Sequence, residues 1–259
     1  WADASEGALD GVDSFLLIPD LINFWLTGHQ RAERTNASTT GLLDPRTTDW
    51  HDDLIGRLDL PLRIFPELMD AGEKIGPLLP EVAAALGVAG HGVTVTAVGS
   101  HDTASAVVAV PATTDDFAYI SCGTWGLVGV ELTEPVLSEE SRVADFTNEL
   151  GVDGRVRFLH NVMGLWLLNE CVREWEAGGT TVDLPALIER AAAIDHSVPT
   201  FDASDTRFLS PGNMPERILG YFSERGDEAP VGRTELVRSI IESLASSFAR
   251  AVETACELS

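Results

Sequence analysis

The sequence predicts an α/β fold, and three stretches carry that prediction. VTVTAVGSHDTASAVVAV, residues 93–110, runs from an alternating β-branched segment through a polar turn into a small apolar one, as a buried strand, turn and helix would. FAYISCGTWGLVGVEL, residues 117–132, places two β-like runs around a Gly-Thr-rich tip and predicts a hairpin. Residues 235–259 repeat apolar side chains at helical spacing: Val237, Ile240, Ile241, Leu244, Phe248 and Val252.

The other elements follow in chain order. Residues 1–12 read as loop. Pro19 suits the first turn of a helix over 20–26, closed by Gly28. Residues 36–40 read as turn or loop, 41–45 as a short strand entering a turn, and 50–58 as a helix. Residues 61–80, with prolines at 61, 66, 77 and 80, are expected to be irregular. EVAAAL, residues 81–86, reads as a short helix ended by Gly87. Residues 111–116 form a polar break and read as a hinge or domain boundary. Strands are expected at 146–149 and 156–160. Asn161 is placed to cap a helix that ends at Gly178-Gly179. A further helix is expected at 184–194, with loop at 207–215 before the terminal helix.

Composition narrows the function classes. The chain has 259 residues, with 41 acidic and 17 basic side chains and a net charge of −24. Such a surface argues against nucleic acid or an anionic membrane as partner, since phosphate contacts need clustered Lys and Arg. A small phosphorylated ligand needs only a few local donors and stays open. Cys122, Cys171 and Cys256 are far apart and form neither a metal-type pair nor a disulfide framework, which fits a reducing cytoplasm. The chain starts at Trp1 and stops within a helical pattern, so an internal piece of a longer protein is expected.

The candidate sites each have two readings. Asp102, expected at the carboxyl end of a strand, suits a general base taking a proton from a substrate hydroxyl. Equally, Asp102 or Thr103 suits the N-cap of the following helix. Ser100-His101-Asp102 is not a hydrolytic triad, because triads assemble from separated segments. SCGTWG, residues 121–126, can offer donors to a phosphate or be an ordinary hairpin turn; without a lysine it is no Walker loop. Asn161 and Asn169, eight residues apart, would share one face of a helix. Asn161 reads equally as a plain cap and Asn169 as a plain exposed residue. His51-Asp52-Asp53 resembles a metal cluster but reads as the start of a solvated helix, so no metal-ligating residue is expected. Trp166 and Trp175 read as core.

Several stretches in order support a closer reading. They are PDLINFWLTG (19–28), TNASTTGLLD (35–44), VGSHDTASAVVAVP (98–111), YISCGTWGLVGVE (119–131), TNE (147–149), NVMGLWLLNE (161–170), RFLSP (207–211) and IIESLA (240–245). Together they resemble the middle of a member of the FGGY carbohydrate kinase family. The resemblance implies an actin-like ATPase (ribonuclease H-like) fold, with parts of two domains around a hinge. Residues 1–112 would end the N-terminal domain and 113–259 would begin the C-terminal one.

By the same resemblance, Asp102 matches the catalytic base. His101, Asp102, Thr103 and Asn161 match sugar-side positions, and Gly123, Thr124 and Asn169 match nucleotide-side positions. Asn169 falls where a member of the family has glutamine, one methylene longer. The implied partners are a small sugar and ATP with Mg²⁺, and the implied reaction is L-rhamnulose to L-rhamnulose 1-phosphate. L-fuculose, xylulose and a non-catalytic sugar- or nucleotide-binding role are the alternatives. The family's first phosphate hairpin would precede Trp1 and its adenosine segment would follow Ser259, so this piece alone is expected to be inactive.

Overall fold

The computed structural model describes residues 7, 9–114 and 116–259. The expected loop at 1–6 and 8, and Asp115 of the expected hinge, lie outside the described residues. The chain divides into two compact units. One comprises residues 1–117, 131–138 and 147–158; the other comprises 118–130, 139–146 and 159–259.

In the first unit, α1 (Ile18–Thr27) starts with proline in its first turn and closes on Gly28, whose φ of 75° is the left-handed conformation that suits glycine. Strand β1 (Ala32–Glu33) pairs in parallel with β2 (Leu68–Met69). A single helical turn, α2 (Arg34–Ala37), capped by the Glu33 side chain, and a 3₁₀ turn (Ser38–Thr40) occupy the stretch where turn or loop was expected. The expected strand at 41–45 reduces to one bridge between Leu43 and Trp50. Next come α3 (Asp52–Arg57), β3 (Lys74–Pro77), α4 (Pro80–Ala85), β4 (Thr94–Thr96) and α5 (Asp102–Val108). Ala32, Ala37, Leu43, Leu68, Leu150 and Val156 form a small core with Trp50 against it.

The expectation of a buried strand before Asp102 is corrected. Among the described residues β4 pairs only with β3, antiparallel, in a two-stranded ribbon, and Val93 and Val98 beside it are exposed. Helix α1 lies against both strands of the ribbon, but Val93 and Val98 fall beyond the paired segment and stay in solvent, and alternation alone does not reveal that.

A four-stranded sheet runs in the order β5 (Ala118–Cys122), β6 (Trp125–Leu132), β8 (Val156–Met163), β7 (Thr147–Leu150). β5 and β6 form the expected antiparallel hairpin, in register from Ala118 opposite Val130 to Cys122 opposite Gly126. A short α6 (Glu139–Val143) precedes β7.

The second unit is mainly helical: α7 (Trp166–Ala177), α8 (Leu184–Ala192), α9 (Met214–Arg225) and α10 (Gly232–Leu258). Leu167, Leu168 and Cys171 of α7, Leu187 of α8, Met214, Ile218 and Phe222 of α9, and Leu236, Val237, Ile240 and Leu244 of α10 share one core. Each large apolar side chain buried there contributes about 1.5–3 kcal/mol relative to exposure. Trp175 is core as expected. Trp166 is partly buried, and its indole N–H donates to the Phe208 carbonyl at 3.0 Å.

Two further expectations change here. Asn161 does not cap a helix; it lies within β8, exposed, and α7 begins five residues later. The shared helical face of Asn161 and Asn169 therefore does not exist. The loop expected at 207–215 is shorter: α9 begins within it at Met214 and runs to Arg225, where no helix was expected.

Candidate functional site

The loop of residues 99–101 leads into α5 and is fixed at nearly every polar atom. The Ser100 N–H donates to Glu33 Oε2 at 2.9 Å, and the Ser100 hydroxyl donates to the same oxygen at 3.0 Å. The His101 N–H donates to Thr35 Oγ1 at 3.2 Å. Gly99 sits at a close approach: a Cβ there would stand 2.9 Å from Val152 Cγ2 and 3.0 Å from Ser105 Oγ, so a neighbouring side chain would have to shift.

His101 is the N-cap of α5, because its Nδ1 accepts the Ala104 N–H at 3.3 Å. The capping reading of Asp102 or Thr103 is thereby corrected: the cap lies one residue before Asp102 and two before Thr103. Asp102 occupies the first helical position. Its Oδ1 accepts the Thr103 N–H at 2.7 Å, and its side chain is 98% exposed. Thr103 is buried, with its hydroxyl 3.4 Å from the same oxygen.

Behind the cap stand Arg157, outside the recognisable stretches, and Glu149, which lies within TNE but has no role assigned from the sequence. Arg157 is fully buried; its Nη2 donates to Glu149 Oε2 at 2.7 Å and lies 3.4 Å from His101 Nδ1. His101 Nε2 is 3.8 Å from the same Glu149 oxygen. Burial, and after it the Arg157 charge, holds the His101 imidazole below its ordinary pKa. A neutral ring whose Nδ1 accepts must carry its proton on Nε2, the tautomer assigned from this network. A cavity of about 370 Å³ opens beside Glu33 and Thr35, lined also by Thr48, Asp70 and residues 150–154.

In the second unit the hairpin tip meets the start of α7. The Leu165 N–H donates to the Gly123 carbonyl at 2.8 Å, and the Trp166 N–H to the Thr124 carbonyl at 3.1 Å. These carbonyls satisfy two of the amides that a helix N-terminus leaves open. They stand in for a side-chain cap, which α7 lacks. The Gly123 N–H closes the turn on the Trp125 carbonyl at 2.9 Å, so this amide serves the turn. Gly123, Thr124 and Asn169 are exposed, and the Asn169 N–H continues the helix to Leu165. Gly164 allows this contact: a Cβ there would lie 2.5 Å from the Gly123 carbonyl oxygen.

Among the described residues no three His, Cys, Asp or Glu side chains gather as metal ligands, and no helix is long and apolar enough to cross a membrane.

Comparison with known proteins places this geometry. The sequence matches the N-terminal domain of the FGGY family of carbohydrate kinases over residues 2–109 and its C-terminal domain over 118–259. The chain belongs to the FGGY family of carbohydrate kinases. Among curated relatives it is 40% identical to the rhamnulokinase of Pectobacterium carotovorum over 96% of this chain and 48% of that protein. It is 37% identical to the rhamnulokinase of Enterococcus faecalis over 96% of this chain and 50% of that one. The chain thus spans about half the length of the curated relatives it matches.

Its fold matches the xylulose kinase of Rhodospirillum rubrum with a TM-score of 0.74 at 18% identity, over 100% of this chain and 51% of that one. It also matches Plasmodium falciparum glycerol kinase with ADP, at a TM-score of 0.66 and 16% identity, over 93% and 47%. The expected actin-like ATPase fold is the one these neighbours share.

Proposed function

We propose that the protein carrying this chain transfers the γ-phosphate of ATP to a hydroxyl of L-rhamnulose, giving L-rhamnulose 1-phosphate and ADP. The rhamnulokinase relatives support this choice of sugar. The chemistry rests on one observation. The Asp102 carboxylate is 98% exposed beside a loop fixed at nearly every polar atom, while His101 performs the capping. A carboxylate in that state is available to accept the hydroxyl proton as the sugar oxygen attacks the γ-phosphorus and ADP departs.

His101 and Thr103 belong to the sugar side, Thr103 by holding the Asp102 carboxylate through its N–H and hydroxyl; Asn161 also belongs there. Gly123, Thr124 and Asn169 belong to the nucleotide side. Thr124 offers an exposed hydroxyl, and Asn169 offers a side-chain amide one turn into α7. Mg²⁺ is typically carried by nucleotide phosphates with one or two carboxylates, and it neutralises phosphate charge when bound. Without a ligand cluster among the described residues, no step is assigned to it through this chain. Residues 1–112 are read as the end of the N-terminal domain and 113–259 as the start of the C-terminal one. Three free cysteines support a reducing, cytoplasmic setting.

The test is ADP release by the native protein with ATP, Mg²⁺ and a panel of ketoses, beside its Asp102→Asn variant. Activity on L-rhamnulose that falls by about 10²-fold or more in the variant is expected. Activity on another ketose alone would replace the sugar. Full activity of the variant would remove Asp102 as base.

A further inference from the structure

We propose that Glu33 and Thr35 are positioning residues that hold the loop presenting Asp102; this rests on the reading of Asp102 as base. Glu33 is 1% exposed, and among the described residues its carboxylate accepts five hydrogen bonds. Three are local, from the Thr35 N–H at 3.0 Å, the Thr35 hydroxyl at 2.5 Å and the Asn36 N–H at 3.3 Å. Two come from Ser100, 67 residues away in sequence. Thr35 then uses its oxygen to accept the His101 N–H, so the two amides that precede Asp102 both end on this pair.

The arrangement is directional. Every bond on the carboxylate comes from an N–H or O–H donor, and four of the five fall on Oε2. A carboxylate accepts on both oxygens, whereas a glutamine amide accepts on one and donates from the other. A glutamine in place of Glu33 would therefore turn an NH₂ group toward at least one donor and push it away. Either the turn of α2 or the Ser100 loop must then shift. Thr35 hands the constraint on because its hydroxyl donates to Glu33 while its oxygen accepts from His101. The anchor itself is held from behind: the Glu33 N–H donates to Oδ1 of the fully buried Asp20 at 3.1 Å.

A base that moves by a fraction of an ångström loses alignment with the hydroxyl without losing the sugar. The expected signature is therefore a fall in kcat at nearly constant KM, and a 1 Å misplacement is known to cost about 10²-fold.

The experiment compares Glu33→Gln, Thr35→Val and Thr35→Ser in the native protein by steady-state kinetics and by amide exchange of peptides spanning 98–104. Glu33→Gln and Thr35→Val are expected to lower kcat by about 10- to 100-fold with KM for sugar and ATP within about twofold, and to speed exchange in that peptide. Thr35→Ser keeps the hydroxyl and is expected to restore most of kcat. If Glu33→Gln does not fold, the Thr35 pair carries the test. Unchanged kcat in Thr35→Val, or no recovery in Thr35→Ser, overturns the proposal. Asp102→Asn, measured alongside, separates the two readings. If it is inactive while Thr35→Val is fully active, the base stands and the positioning role falls. If it is fully active, the base reading falls, and the positioning role with it.

Discussion

Replacing Gly164 by alanine tests the junction between the hairpin and α7. The added Cβ would lie 2.5 Å from the Gly123 carbonyl oxygen, 2.7 Å from the Trp125 carbonyl carbon and 2.8 Å from the Thr124 carbonyl oxygen. All three are backbone atoms, so no side chain can swing aside. Real Cβ atoms essentially never approach closer than 3.0 Å, so the tip must retreat by at least about 0.5 Å. That retreat stretches the Leu165-to-Gly123 and Trp166-to-Thr124 hydrogen bonds from 2.8 and 3.1 Å to about 3.3 and 3.6 Å, and the second is then lost. Overpacking costs about 1–3 kcal/mol and the lost bond about 1 kcal/mol, a total near 2–4 kcal/mol. For a unit of this size the melting temperature should fall by about 5–15 °C. The assay is thermal unfolding of the native protein, with amide exchange of the peptide over 121–126. A variant that melts within about 1 °C of the parent, with unchanged exchange at the tip, would refute the steric argument.

Asp20 gives a pH-dependent prediction. Burial raises its pKa from 3.8 to about 6; the Glu33 N–H opposes the rise and the Glu33 charge adds to it. With the folded pKa above the unfolded one, its contribution to stability is full below about pH 4 and is lost as pH rises through about 6. Asp20→Asn, which can still accept from the Glu33 N–H, should therefore be more stable than the parent at about pH 7.5 by at most about 3 kcal/mol, with the gain shrinking toward about pH 4.5. Paired melting curves check this, and a gain that grows toward acid pH would contradict it. Cys171 gives another: burial, and after it the charges of Glu216 and Glu170, pushes its thiol up to about 12. Alkylation at about pH 8 followed by peptide mapping should mark the exposed Cys122 and Cys256 but reach Cys171 only after unfolding. Equal labelling of all three in the folded protein would count against the burial.

Much of the fold was legible because its signals are local. Pro19 and Gly28 bracket α1, the Gly-Thr tip marks the β5–β6 hairpin, and the apolar repeat marks α10. The errors arise where a distant contact does the work of a local signal. α7 has no capping side chain, since carbonyls of the distant hairpin take its first amides, and so Asn161 looked like the nearest cap. α9 begins after Asn213, which adopts φ 53° and makes no side-chain cap. The site divides the same way. Asp102 and Thr124 stand in recognisable stretches, but Glu33, Glu149 and Arg157 act through partners that only the folded chain brings near. A lone acid before a turn gives no signal of that kind.

The capping assignment also separates the two readings of Asp102 energetically. Had Asp102 been the N-cap, truncating it would cost about 0.5–2 kcal/mol of stability. With His101 as the cap, that cost moves one residue back. What remains for Asp102 is the bond its Oδ1 accepts from the Thr103 N–H, which an asparagine Oδ1 can keep, and the interaction of an exposed first-turn acid with the helix dipole, about 0.3–1 kcal/mol. The Asp102→Asn protein of the ADP-release assay should therefore melt close to the parent while losing turnover. A purely structural aspartate predicts the opposite pairing, lost stability with retained turnover. Measuring both on one preparation distinguishes a base from a helix cap, because no folding defect is then available to explain the lost activity.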